Sequence, residues 1–136
     1  MASRWFSTVF DARDHGRLAR WWAEVLDYEV IWESVDKTFI ADRAFPKILV
    51  ADDRRVLEGP QPYPGMLFMA VPDDKERKNR VHIDISPDDQ ATEVERLVNM
   101  GARHVDIGQR DVHWVVLADP EGNEFCVMTP IDSPPG

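Results

Sequence analysis

The chain runs twice through one order of elements: strand, helix, three strands, then strand, helix, three strands again. No single residue constrains the fold as strongly, because two such modules in one chain ask for two similar half-sheets. The first pass opens on Trp5-Phe6-Ser7-Thr8-Val9-Phe10, whose β-branched and aromatic side chains favour a pleated strand. Asp14 stands at an N-cap position, and Leu18, Trp21, Trp22, Val25 and Leu26 then recur at helical spacing. The helix is expected to stop near Asp27-Tyr28, ahead of a strand at 29–32. Residues 36–71 hold strand-like pieces at 39–41 and 47–51, an irregular proline- and glycine-rich loop over 59–65, and a buried strand at 66–71.

The second pass begins with the alternation Arg80-Val81-His82-Ile83-Asp84-Ile85. Ser86 or Asp88 can cap a helix striped by Ala91, Val94, Leu97 and Val98, and Gly101 suits the left-handed position after it. A short strand at 104–105, a buried one at 113–118 and a last one at 124–128 follow. The final two are joined by Asp119-Pro120-Glu121-Gly122-Asn123, where proline fixes φ, Gly122 supplies a positive φ and Asp119 can bond turn N–H groups. Backbone geometry accounts for this turn, so Glu121 is not needed as a catalytic group. Residues 130–136 form a proline-rich tail, and 72–80 reads as a solvated, cationic loop.

Composition sets the remaining bounds. A chain of 136 residues makes one domain, here with modules at about 4–71 and 79–129. The 16 Lys+Arg and 25 Asp+Glu give a net charge of −9, which argues against a nucleic-acid partner. No apolar run is long enough to span a membrane. The N-terminus lacks a signal-peptide core, since Asp11 and Arg13 interrupt it. The single Cys126 excludes an intrachain disulfide, and a reducing, cytoplasmic setting is expected. No Gly-x-Ser-x-Gly elbow and no Gly-x-Gly phosphate loop occurs.

Three segments together point further: Asp11-Ala12-Arg13-Asp14 with the helix after it, Asn79-Arg80-Val81-His82-Ile83-Asp84-Ile85, and the run from Trp114 through Asp119-Pro120-Glu121-Gly122-Asn123 to Val127. Over about residues 5–129 the chain resembles the vicinal oxygen chelate superfamily, and within it the bacterial glyoxalase-like domains. The resemblance implies an α+β fold: two βαβββ modules forming a cupped eight-stranded mixed sheet with helices on its outer face. Many members of that superfamily hold a divalent metal through His, Gln or Glu ligands from both modules, and polarise two neighbouring substrate oxygens with it. Isomerases, dioxygenases, epimerases, thiol transferases and non-catalytic antibiotic binders share the fold, so the fold does not name the reaction.

Strand alternation divides the candidates between two faces. Val81, Ile83, Ile85, Phe125, Val127, Phe6, Thr8 and Phe10 are expected under the helices. Trp5, Ser7, Val9, Asp11, His82, Asp84, Glu124, Cys126 and Met128 are expected on the cleft. The positions where the superfamily places metal ligands carry Ser7, His82, Cys126 and Phe68 or Met69, so only His82 is retained. The expectation is therefore no standard metal. The one set these residues allow, His82 with Cys126 and Glu124, would suit a zinc-like ion.

The candidate catalytic residues are His82, Asp84 and Glu124, with His82 as general acid or base beside a negative charge. The candidate ligand contacts are Trp5, Ser7, His82, Asp84, Glu124, Cys126 and Met128. A glyoxalase-like small-molecule-binding protein, as a lyase or isomerase, is the leading reading. The alternatives are a drug-sequestering resistance protein and a metal-dependent enzyme with an atypical ligand set. Of the adjacent Trp21 and Trp22, at most one can point straight at the sheet; core packing is the expectation for both, with the sheet edge or a subunit contact as the alternative for the other. The superfamily resemblance and this apolar surface suggest a homodimer.

Overall fold

The computed structural model describes residues 3–51, 54–60 and 63–130. The expected tail beyond Pro130, and Gln61-Pro62 of the expected loop, lie outside the described residues. The chain divides into two compact units, Met1–Asp73 and Asp74–Gly136.

The first unit contains β1 (Ser7–Ala12), α1 (His15–Leu26), β2 (Glu29–Glu33), β3 (Lys37–Ala41), β4 (Ile48–Ala51), β5 (Arg54–Leu57) and β6 (Gly65–Ala70). Four of these strands make a mixed sheet in the order β1-β6-β3-β2, with β1 parallel to β6 and the other pairs antiparallel. β4 and β5 form a separate two-stranded hairpin, which splits the expected strand at 47–51 from the sheet.

Helix α1 starts where the Asp14 carboxylate accepts the Arg17 N–H at 3.2 Å. It ends at Asp27, whose left-handed φ of 55° lets its N–H return to the Ala23 carbonyl. The buried side is Leu18, Ala19, Trp21, Trp22, Ala23 and Val25. Trp22 stacks on Phe10 of β1 with ring centroids 6.5 Å apart, and Phe10 stacks on Phe68 of β6 at 5.3 Å. Both tryptophans are buried in the core. Trp21 fits because its ring turns edge-on against Trp22, with centroids 5.1 Å apart at 81°.

The opposite face of this sheet has an aromatic cluster of its own. Phe39 is out of phase with Thr38 and Ile40, so it projects away from α1. Its ring stacks between Phe6 and Trp32, and Phe45 packs edge-on against it. Phe6 was expected on the helix side. It precedes β1, so strand alternation does not govern it, and it turns to Phe39 instead. Gly65 makes room for this cluster: a Cβ there would lie 2.7 Å from Phe39 Cε2 and 3.1 Å from the Ile40 carbonyl oxygen.

The second unit repeats the plan with shorter strands: β7 (Ile83–Ile85), α2 (Gln90–Asn99), β8 (Arg103–His104), β9 (Val115–Ala118) and β10 (Glu124–Val127). Its sheet order is β7-β10-β9-β8, again with the first strand parallel to the last. Helix α2 is capped by Asp89, neither Ser86 nor Asp88, because the helix begins one residue later and only Asp89 reaches the Thr92 N–H, at 2.9 Å. Gly101 follows α2 at φ +108°, as its position in the sequence suggested. Val81 is 74% exposed and not under a helix, because pairing starts at Ile83 and the alternation stops there. The turn before β10 matches its sequence. Asp119 accepts from the Glu121 and Asn123 N–H groups at 2.9 and 3.0 Å, and Gly122 has φ +91°.

Candidate functional site

The second sheet has two unlike faces. Register aligns Phe125 with Ile83 and Leu117, and Val127 with Ile85 and Val115. Leu117, Phe125 and Val127 are fully buried, as is Leu97 of α2. The other face takes the residues one step out of phase: Asp84 on β7, Cys126 and Glu124 on β10, and Val116 and Ala118 on β9.

Asp84 and Cys126 are direct partners across the parallel β7–β10 pair. His82 lies two residues before Asp84, and its Nε2 is 3.3 Å from Asp84 Oδ1. One ligand atom from each of His82, Asp84 and Cys126 lies within 4.8 Å of the other two. Cys126 is 4% exposed and forms the floor of this cluster. The His82 and Asp84 side chains are 35% and 55% exposed, and solvent reaches them.

The Cys126 thiol is pushed above its ordinary pKa by burial, and by the charge of Asp84 together with the hydrogen bond between them, while the Lys78 ammonium acts the other way. A neutral thiol donating to a carboxylate is a poor nucleophile. The chemical order is also wrong for a thiol triad, since Asp84, and not His82, stands between the other two groups. What the cluster offers is an imidazole beside a carboxylate, with a sulfur beneath them.

Glu124 was expected to serve the same cleft, and its carboxylate is already engaged. Lys75 Nζ donates to Oε1 at 2.8 Å, and the Asn79 N–H donates to Oε2 at 3.1 Å. Asn79 Nδ2 adds a bond to Asn123 Oδ1 at 2.8 Å. Burial is the largest influence on Glu124 and opposes its charge. The Lys75 and Asn79 bonds, with a bond to its own backbone N–H and the Lys75 charge, together outweigh it and hold the pKa below the usual carboxylate value. The segment expected as a solvated loop therefore straps the turn and β10. Glu76, Arg77, Lys78 and Arg80 are exposed, but Lys75 is largely buried against Glu124. Strand and helix periodicity carry no signal for this pair, whose partners stand 49 residues apart in the chain.

Other candidates lie elsewhere. Met128 is half-buried just past β10, and its N–H donates to the Ile85 carbonyl at 2.8 Å. Trp5, 68% exposed, and half-buried Ser7 belong to the first unit. His15, at the start of α1, is half-buried. Its Nδ1 lies 2.7 Å from Thr38 Oγ1 and its Nε2 3.0 Å from the Val35 carbonyl oxygen. Thr38 donates to Glu33 Oε2 at 2.8 Å, and Arg20 grips the same carboxylate with two N–H groups. The Arg20 bonds, followed by the Thr38 bond, lower the Glu33 pKa to about 2. Through the buried Thr38 this network clamps the β2–β3 hairpin to the start of α1, with Arg20 and Glu33 at the surface.

The superfamily's metal pattern does not fit these residues. Phe68 is fully buried and stacked on Phe10, Ser7 is a weak ligand, and Cys126 replaces a carboxylate with sulfur. A hard divalent ion held by imidazole and carboxylates from both modules would find only His82.

A family profile described as a glyoxalase-like domain matches residues 7–128. No curated protein sequence matches the chain. Among solved structures, a glyoxalase/bleomycin resistance protein/dioxygenase family enzyme from Burkholderia phytofirmans PsJN is similar with a TM-score of 0.67 at 12% identity, over 95% of this chain and 100% of that one. The fosfomycin resistance protein FosX from Mesorhizobium loti is similar with a TM-score of 0.64 at 16% identity, over 96% of this chain and 94% of that one. A bleomycin resistance determinant encoded on the transposon Tn5 gives 0.55 at 12% identity, over 94% of this chain and 98% of that one. At such identities the likeness is one of fold.

Proposed function

The chain belongs to the glyoxalase-like domain family of the vicinal oxygen chelate superfamily, and on that footing we propose that it binds a small molecule at the open face of the β7–β10 pair. The observation that carries this reading is the gathering of His82, Asp84 and Cys126 on one sheet face, with three different heteroatoms within 4.8 Å of one another. His82 and Asp84 are the ligand's polar contacts because solvent reaches them. Cys126 is the apolar floor. Glu124 has a structural part, since both its oxygens are bonded by Lys75 and Asn79. The reading rests on the second unit alone. A reducing compartment, which keeps the lone thiol free, belongs to the same proposal.

A second reading makes the protein a lyase or isomerase. It is favoured by the 3.3 Å separation of His82 Nε2 and Asp84 Oδ1, which fixes the ring beside a carboxylate. His82 would then give a proton to the ligand or take one from it. Sequestration of a drug-like compound needs the same contacts without turnover. The net charge of −9 would favour a cationic ligand.

The test is a fluorescence screen on the protein's five tryptophans with metabolites and antibiotics, in the presence of a chelator, followed by turnover assays on each hit. His82→Ala and Asp84→Asn should each weaken a true hit about tenfold or more, as losing a charged or hydrogen-bonded contact does. Hits that bind both variants as well as the parent would overturn the site. Product formation that His82→Ala abolishes would select the enzyme reading, and binding without product would select sequestration.

A further inference from the structure

Thr38 has a single hydroxyl proton and two neighbours that compete for it. Its Oγ1 lies 2.8 Å from Glu33 Oε2 and 2.7 Å from His15 Nδ1, while His15 Nε2 lies 3.0 Å from the Val35 carbonyl oxygen. A carbonyl only accepts, so Nε2 donates. Glu33, its pKa lowered to about 2, is ionised near neutral pH and also only accepts. With the Thr38 proton given to Glu33, Nδ1 must donate as well. Both ring nitrogens then carry hydrogen, which is the imidazolium form. We propose that His15 is a proton-operated latch between α1 and the β2–β3 turn. Charged, it completes a relay from Val35 through Thr38 to Glu33; neutral, it draws the Thr38 hydroxyl away from Glu33. The latch lies in the first unit and uses none of the residues of the ligand site proposed above.

Three elements build this relay. His15 is the first residue of α1, Glu33 is the last of β2, and Thr38 is the cross-strand partner of Glu33 on β3. Val35 stands in the turn between the strands, which the Ser34 N–H closes by donating to the Lys37 carbonyl at 2.8 Å. Gly16 leaves room for the carboxylate: a Cβ there would lie 3.0 Å from Glu33 Oε2 and 3.1 Å from Arg20 Nη1. β2 is an edge strand with β3 as its neighbour in the sheet, so the contacts from α1 are its second restraint.

Charged groups stand on the elements around the ring. Arg20, farther along α1, grips Glu33 with two N–H groups, at 2.8 and 3.1 Å. Asp14 precedes His15 and caps α1, Asp36 in the turn accepts from the Ser34 hydroxyl at 2.9 Å, and Lys37 begins β3. β6 carries no charged residue, and Asp11 of β1 is out of phase with Phe10, which stacks on α1. The helix N-terminus opposes a cation at His15, and the Glu33 carboxylate favours one. When the ring gives a proton to solvent, Nε2 keeps its hydrogen, because Val35 offers only an acceptor. Nδ1 then presents a lone pair, and the Thr38 hydroxyl turns to it. Glu33 stays on Arg20, and the relay has lost one bond. The extra bond belongs to the protonated ring, so the turn is held more firmly at the acid end of the histidine range, roughly pH 5 to 8, and loosens as pH rises through it.

Ring-nitrogen NMR on the full chain tests the latch, with His15→Gln used to assign the His15 signals. At about pH 5 both His15 nitrogens should be protonated, and at about pH 8 only Nε2. The Glu33 carboxylate carbon should shift in step with the His15 ring, far above its own titration. Thr38→Val should remove most of that step, and Thr38→Ser should restore it. Hydrogen exchange at the Ser34 amide, corrected for its intrinsic pH dependence, should quicken about fivefold over the same range, the ratio that one ordinary hydrogen bond carries. His15→Gln should show no such quickening. An Nδ1–H tautomer in the neutral ring, a Glu33 step undiminished in Thr38→Val, or the same pH dependence of Ser34 exchange in His15→Gln would each overturn the proposal. If His15→Gln does not fold, the His15 signals are assigned through bonds in the parent, and the tautomer and Glu33 measurements carry the test.

Discussion

Lys75 reaches across 49 residues of chain to place its ammonium 2.8 Å from Glu124, and that pair ties the segment before β7 to the strand at the centre of the candidate site. Lys75 and Glu124 side chains are only 20% and 7% exposed, so neither partner is fully solvated.

Removing one partner leaves a buried charge without its counter-ion. Lys75→Met should therefore destabilise the protein by roughly 3 kcal/mol, and Lys75→Met with Glu124→Leu by much less. The pH dependence follows from the lowered pKa of Glu124. A carboxylate with a depressed folded pKa stabilises fully above its unfolded value and loses that contribution as pH falls through the folded one. The parent should therefore lose stability as pH drops below the ordinary glutamate value of 4.5, and the double variant should lose less over that window. Urea melts across the acid range measure both effects.

Gly65→Ala tests close packing. The new methyl would meet Phe39 and the Ile40 carbonyl oxygen, the latter at 3.1 Å, and an overpacked core costs about 1–3 kcal/mol. Adding Phe39→Leu should return part of that loss, so the two substitutions should be non-additive in thermal melts.

Gly122→Ala tests backbone strain. Here a Cβ has room, with Lys75 Cδ at 3.8 Å as the nearest atom, but φ is +91°. The cost should be about 1 kcal/mol or more, with no rescue from trimming Lys75. A rescue would show that crowding, and not φ, is the cause.

Thr38→Val keeps the shape of a buried side chain and removes the hydroxyl that bonds Glu33. The Glu33 pKa should rise from about 2 toward the ordinary value, stopping short of it because Arg20 remains. Carboxylate carbon shifts in an NMR pH titration report this directly. An unchanged value would assign the whole shift to Arg20.

A homodimer is expected, on new grounds. Trp21 and Trp22 are buried within the chain and contribute no contact surface. The edge strand β2 instead exposes Val30, Ile31 and Trp32. Light scattering at micromolar concentration should give twice the chain mass, and Trp32→Lys should shift it toward the monomer. A parent mass of one chain would remove the expectation.

Outside the β4–β5 hairpin the order of elements, together with the Asp14 cap, the stop at Asp27 and the turn from Asp119 to Asn123, was legible without coordinates. Each is set by residues a few positions apart, through helical period, capping and allowed φ. His82 and Asp84, two residues apart, meet as their spacing suggested, although His82 precedes the first paired residue of β7. The hairpin β4–β5 was not legible, because its short apolar pieces match a sheet strand equally well. Alternation also failed just outside the strands: Phe6 precedes β1 and turns to Phe39, and Val81, ahead of the first paired residue of β7, is exposed. Tertiary structure alone decided that Asp84 meets Cys126, that Lys75 pairs with Glu124, and that Phe39 lies over Gly65. Those contacts depend on the register between strands distant in the chain, and register is chosen by the packing of the whole sheet, not by any local run of residues.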